Sequence, residues 1–164
     1  MAQDYRKTPP IGQIDKFACW AASTSWWLKA LGGGRPAISQ MDLIVQYTRF
    51  CDDNGGLPHS YFMNNLAKEA RFMMRAAYSQ SSQWANAPLP LGDRPVIVVF
   101  NYPQVGGTHM NVIFGQDTAK RTVTAMEPFH PFPGADGQRT GIFVERPERF
   151  YLQGSPVIGL VWAK

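Results

Sequence analysis

The feature that most constrains this chain is a change of hydrophobic period along it. Up to about residue 71, apolar side chains recur at helical spacing. From Pro95 onward they come in β-branched runs and alternations. Helices first and strands afterwards indicate an α+β domain, with N-terminal helices packed on a C-terminal antiparallel sheet.

The helical half divides into a lead-in and three expected helices. Residues 1–14 are polar and Pro-containing and read as an extended lead-in. A helix is expected over 17–31, with Trp20, Trp27 and Leu31 on one face, stopped by Gly32, Gly33 and Gly34. Ser39 can cap a second helix to about residue 50, with Asp42 three positions on as in a capping box. After a loop over 51–56, Ser60 can cap a third helix to about residue 71, with Phe62, Met63, Leu66 and Ala70 facing the core. Residues 79–93 are rich in Ser, Gln and Pro and read as a long connection. Strands are expected over 95–100, 109–115, 122–126, 142–144 and 157–162. In the second of these, Met110, Val112 and Phe114 fall on one side and His109, Asn111 and Ile113 on the other.

The length of 164 residues suits one domain spanning 1–164, and 45% hydrophobic residues suffice for a core. The net charge of +4 comes from scattered residues with no Lys/Arg run, so no nucleic-acid partner is expected. No apolar stretch reaches membrane-spanning length and the N-terminus lacks an apolar leader. The expectation is synthesis in the cytoplasm without a cleaved signal peptide, with no membrane partner. If the chain leaves the cell, it does so by a specialised secretion system. Two cysteines, Cys19 and Cys51, are too few for a disulfide framework or a structural zinc site. One bridge between them is open, but two free thiols are the simpler reading. No metal-ligand spacing appears, and no cofactor is expected.

Four residues could carry chemistry. Cys19 lies at the first turn of the first expected helix, where unpaired N–H groups and the helix dipole favour a thiolate. Gln13, six positions earlier, could donate its side-chain amide to a developing oxyanion beside the Cys19 N–H. His109 follows Gly106, Gly107 and Thr108 and opens a strand. Glu127 ends the next strand, before Pro128. A hairpin turning near residues 117–120 would bring those strand ends together, so that the carboxylate accepts from the imidazole and orients it. Each has a plainer reading: a small buried cysteine, a surface amide, a structural histidine, a surface carboxylate before a turn.

The ordered set carries more than its members. The run 13–23 (Gln-Ile-Asp-Lys-Phe-Ala-Cys-Trp-Ala-Ala-Ser), then Ser39-Gln40, Arg94 to Ile97, Gly107 to Gly115 and Met126-Glu127-Pro128 resemble papain-like cysteine peptidases. The likeness is to the short bacterial branch (AvrRpt2-type or C39-like) that includes secreted AvrRpt2-type effectors. It runs in patches over roughly residues 11–130. It implies Cys19 as nucleophile, His109 as base, Glu127 as orienting residue and Gln13 in the oxyanion hole. The family usually has Asp or Asn at the third position, where this chain has Glu. The resemblance implies a protein or peptide substrate, and suggests a bacterial effector or toxin with a cognate inhibitor or immunity protein. The same machinery also suits a cysteine amidase or glutamine deamidase, cell-wall peptide amidases included. An inactive binding module on the same fold is the reading outside enzymes.

The remaining candidates read as structural. Cys51 has no histidine beside it in sequence. His59 suits a surface or capping place, His130 a packed loop, and Trp26 and Trp27 the core or a groove wall. Gly32 to Gly34 lack the Lys and Ser/Thr of a phosphate loop.

Overall fold

A computed structural model describes residues 3–80, 88–92, 94–153 and 157–164. Helix α1 (Cys19–Leu31) begins two residues later than expected and is buried on nearly every side, with only Lys29 exposed. A single apolar face is therefore too little for it. Alanine, serine and threonine let neighbours approach closely, and the hydroxyls stay bonded: Ser23 donates to the Met110 carbonyl (3.3 Å), Thr24 to Trp20 (2.7 Å) and Ser25 to Ile38 (2.7 Å). Trp26 and Trp27 are both core residues, and Trp27 Nε1 donates to the Pro95 carbonyl at 2.8 Å.

Helix α2 (Gln40–Tyr47) has the expected Ser39 cap, whose Oγ accepts from Asp42 N–H. A 3-10 turn, Thr48–Phe50, carries it to its expected end. The third helix is a correction. Helix α3 (His59–Asn64) is six residues long, Ser60 lies inside it, and Pro58 occupies the N-cap without a side-chain bond. Asn65 leaves helical geometry at φ −125° and ψ −68°, and two 3-10 turns follow, Leu66–Lys68 and Ala70–Phe72. Met73 then turns into the left-handed region at φ 50°. Strand β1 (Met74–Gln80) comes next, unforeseen in the sequence; most of the connection expected over 79–93 lies outside the described residues.

The other strands are β2 (Val96–Tyr102), β3 (Gly107–Asp117), β4 (Thr122–Glu127), β5 (Ile142–Pro147) and β6 (Val157–Ala163). They form a six-stranded antiparallel sheet in the order β1-β6-β2-β3-β4-β5. The α+β expectation and the β3–β4 hairpin agree with this. One face carries Ile97, Val99, Met110, Val112 and Met126 against the helices. The other carries Val98, Phe100, Ile113 and Ala125 around Tyr151. The alternation expected for β3 follows this division. Among the described residues no helix is long and apolar enough to cross a membrane.

Candidate active site

Strand register fixes the first contact. Val112 pairs with Met126, so the odd-numbered His109, Asn111 and Glu127 share the face opposite the helices. His109 Nε2 lies 2.6 Å from Glu127 Oε1, and the imidazole is 2% exposed. Phe100, Tyr102 and Phe129 surround its ring, with centroids 5.6, 5.6 and 5.9 Å away.

Burial works against the imidazolium. The Glu127 charge and hydrogen bonds with Cys19 and Glu127 outweigh it, and the imidazole is pushed up to about 10. Burial likewise works against the Glu127 carboxylate. The His109 and Arg146 charges and the Phe129 N–H overcome that and hold it down at about 2. Both groups stay charged through the neutral range.

Cys19 is the first residue of α1, after the uncapped Ala18. Its thiol stands close enough to the imidazole to help raise the His109 pKa, while Glu127 occupies Nε2. The Cys19 N–H is among the first amides of the helix, which have no intrahelical partner. Cys51 stands elsewhere. Its thiol donates to the Tyr47 carbonyl at 3.5 Å, and burial followed by the Asp52 charge pushes it up. Both cysteines are free.

Gln13 is held beside this group by its backbone. Its N–H donates to the carbonyl of Pro128, the residue after Glu127, at 2.9 Å. Gln40 clasps the chain on either side of it: Nε2 donates to Gly12 O (2.8 Å) and Oε1 accepts from Ile14 N–H (3.1 Å). Gly12 permits the approach, since a Cβ there would meet the Arg139 carbonyl oxygen at 1.8 Å. The Gln13 side chain is fully buried and does not contribute to the lining of the groove described below. One Nε2 hydrogen goes to the Asp15 carbonyl at 2.8 Å, while Oε1 is buried without a partner.

Glu127 has partners that sequence reasoning missed. Its Oε1 also accepts from Phe129 N–H at 2.8 Å. Its Oε2 accepts from Asn111 Nδ2 (2.9 Å) and Arg146 Nη1 (2.8 Å). Asn111 Oδ1 in turn accepts from Arg146 (2.8 Å) and from the Tyr151 hydroxyl (3.0 Å). Arg146 could have been found by parity: it alternates with Val144 and Ile142 in β5, on the face of β4 that bears Glu127. Tyr151 leaves no comparable signal.

Cys19 and His109 open onto a groove of about 460 Å³. Phe17, Trp20 and the segment Leu57 to His59 line one part of it, and Gly106 to Thr108, Phe129 and Phe132 another. His59 therefore sits on the groove as an exposed residue, and it begins α3 rather than preceding a cap. His130 is half-buried, its carbonyl accepting from the N–H groups of Thr140 and Gly141, as a packed loop requires.

Among solved structures, the peptidase domain of Streptococcus ComA shares this architecture. That protein is a bi-functional ABC transporter involved in a quorum-sensing pathway. The TM-score is 0.58 over 96% of this chain and 99% of that one, at 14% identity. This chain therefore shares the fold of that peptidase domain. No protein-family model matches the sequence, and no curated protein matches it.

Proposed function

We propose that this chain is a cysteine hydrolase that cleaves peptide bonds. The observation that carries the reading is a buried imidazole held between a free thiol and a carboxylate, at the floor of an open groove. Glu127 holds the His109 imidazolium in place, and Cys19 acts as the nucleophile. The thiolate attacks the substrate carbonyl. The oxyanion takes the Cys19 N–H; Gln13, buried off the groove with Nε2 on the Asp15 carbonyl, would have to turn towards Cys19 to serve as the second donor. His109 protonates the leaving amine, and water activated by the now neutral imidazole hydrolyses the thioester.

The papain-like fold supports acyl transfer as the reaction class; fold likeness does not choose the acyl group. Action on proteins of another cell, with export and a protective inhibitor in the producer, is a further proposal resting on the sequence resemblance alone. The test is to incubate a peptide library with wild-type protein and with Cys19→Ala, and to map new termini by mass spectrometry. New termini with the wild type alone support the peptidase. Released ammonia without new termini moves the reading to an amidase or deamidase. Neither product identifies a binding module.

A further inference from the structure

We infer that Arg146 is a positioning residue of this site: its guanidinium bridges Glu127 Oε2 and Asn111 Oδ1, and so fixes which carboxylate oxygen is left for His109. The inference rests on Cys19, His109 and Glu127 acting together as proposed above.

Charge is the first ground. His109 and Glu127 are both buried, and a thiolate formed on Cys19 during the reaction would bring the set to a net charge of −1, which burial opposes. Arg146 brings the set to neutrality, through an ion pair of 2.8 Å on a carboxylate only 4% exposed. The second ground is geometry. Glu127 has one more methylene than the Asp or Asn usual in the family it resembles, and so one more torsion to fix. Its Oε1 is defined by His109 and the Phe129 N–H, its Oε2 by Asn111 and Arg146. Arg146 is itself held, stacked on the Phe150 ring at 4.1 Å. Asn111 is locked by the Tyr151 hydroxyl and by its own Nδ2 bond to the Met110 carbonyl. Thus Oε2 is tied on the side away from His109, and Oε1 cannot rotate off the ring without breaking bonds to a cation.

The titratable and charged groups facing Glu127 are His109 from β3, Arg146 from β5, Tyr151 from the turn after β5 and Tyr102 from the end of β2. Arg146 is the member whose removal takes away a permanent positive charge.

The experiment follows the Glu127 carboxyl by carbon NMR in protein labelled at the glutamate carboxyls, in wild type, Arg146→Gln and Arg146→Lys. It also measures the Cys19 alkylation rate by iodoacetamide against pH, which needs no substrate. In Arg146→Gln the Glu127 midpoint should rise by about one pH unit or more, and the acid limb of Cys19 alkylation should move up with it. Arg146→Lys should restore most of both. In the wild type, the Arg146 guanidinium resonances should shift with the same midpoint as Glu127; this arm holds even where Arg146→Gln does not fold. A Glu127 midpoint unchanged in folded Arg146→Gln, or guanidinium resonances indifferent to Glu127 titration, would overturn the inference. A uniform loss of alkylation with no movement of its acid limb would also overturn it, since that is what a merely structural arginine gives. Cys19 alkylation indifferent to His109 in an otherwise wild-type background would instead refute the proposed function, so the two failures are distinct.

Discussion

Replacing Glu127 by Gln is nearly isosteric, and from sequence alone it reads as a mild change, because an amide oxygen can still orient His109. The structure predicts otherwise. All four partners of the carboxylate are donors: His109 and Phe129 N–H on one oxygen, Asn111 and Arg146 on the other. An amide NH₂ on either side faces two donors. The neutral amide loses the ion pair with Arg146 in either orientation; turned towards Arg146 its NH₂ meets donors, and turned towards His109 it demands the deprotonated Nε2 and the wrong tautomer. A carboxyl held from 4.5 down to about 2 corresponds to about 3 kcal/mol at ~1.4 kcal/mol per pH unit. The rise of His109 to about 10 corresponds to more, but part of that comes from Cys19, so the Glu127 figure describes this cluster. It agrees with the cost of about 3–5 kcal/mol for removing one partner of a buried pair. Glu127→Gln should therefore lower stability near pH 6 by about 3 kcal/mol, or roughly 10 °C in Tm for a domain of this size.

The pH dependence has a definite sign. Glu127 is depressed in the folded state, so its contribution is complete above its unfolded value near 4.5 and is lost as pH falls through about 2. His109 is raised, so its contribution is complete below about 6.5 and is lost as pH rises through about 10. The gap between wild type and variant should be widest between about pH 4.5 and 6.5 and narrow on both sides. Urea denaturation across that range is the assay. A gap under about 1 kcal/mol at pH 6, or one independent of pH, would refute the reasoning.

Gln13→Ala should cut turnover by about 10²-fold if its amide serves the oxyanion, with the Cys19 alkylation rate unchanged; unchanged turnover would make Gln13 purely structural. Gly12→Ala should destabilise the chain, because its Cβ would meet the Arg139 backbone and push the lead-in off the loop; a melting temperature within a degree of wild type would contradict that close approach. Cys51→Ser should leave turnover near the wild-type rate, since Cys51 lies in the Tyr47 turn away from His109; loss of activity in a folded Cys51→Ser protein would reopen its role.

Much of the architecture was legible because local signals agreed with tertiary ones. Ser39 with Asp42, the β-branched run before Phe100 and the turn near residues 117–120 each specify an element by short-range chemistry. Strand β1 was hidden because Met74-Arg75-Ala76-Ala77-Tyr78-Ser79-Gln80 contains no β-branched residue. It is an edge strand, defined by pairing with β6, which follows some eighty residues later. Helix α3 was overextended because apolar spacing continues past Asn64 and Asn65, and the 3-10 turns reuse it. Cys19, His109 and Glu127 are read from the sequence as an ordered set, and the structure sets His109 2.6 Å from Glu127. The burial of Gln13 was not legible, because it depends on the Gln40 clasp and the Gly12 approach. Arg146 escaped notice because an arginine in Val-Glu-Arg-Pro reads as solvated until the register of β5 is known.

The central claim is that His109 holds Cys19 as a reactive thiolate, and cysteine alkylation tests it without knowledge of a substrate. An ordinary thiol is under about 1% thiolate at pH 6. Cys51, disfavoured as a thiolate by burial and Asp52, should therefore react slowly with iodoacetamide there. Cys19 should react about tenfold faster or more, and should lose that advantage in His109→Ala, as read by mass spectrometry of the two cysteine peptides. Cys51 reacting first in the folded protein, or a Cys19 rate indifferent to His109→Ala, would contradict the account.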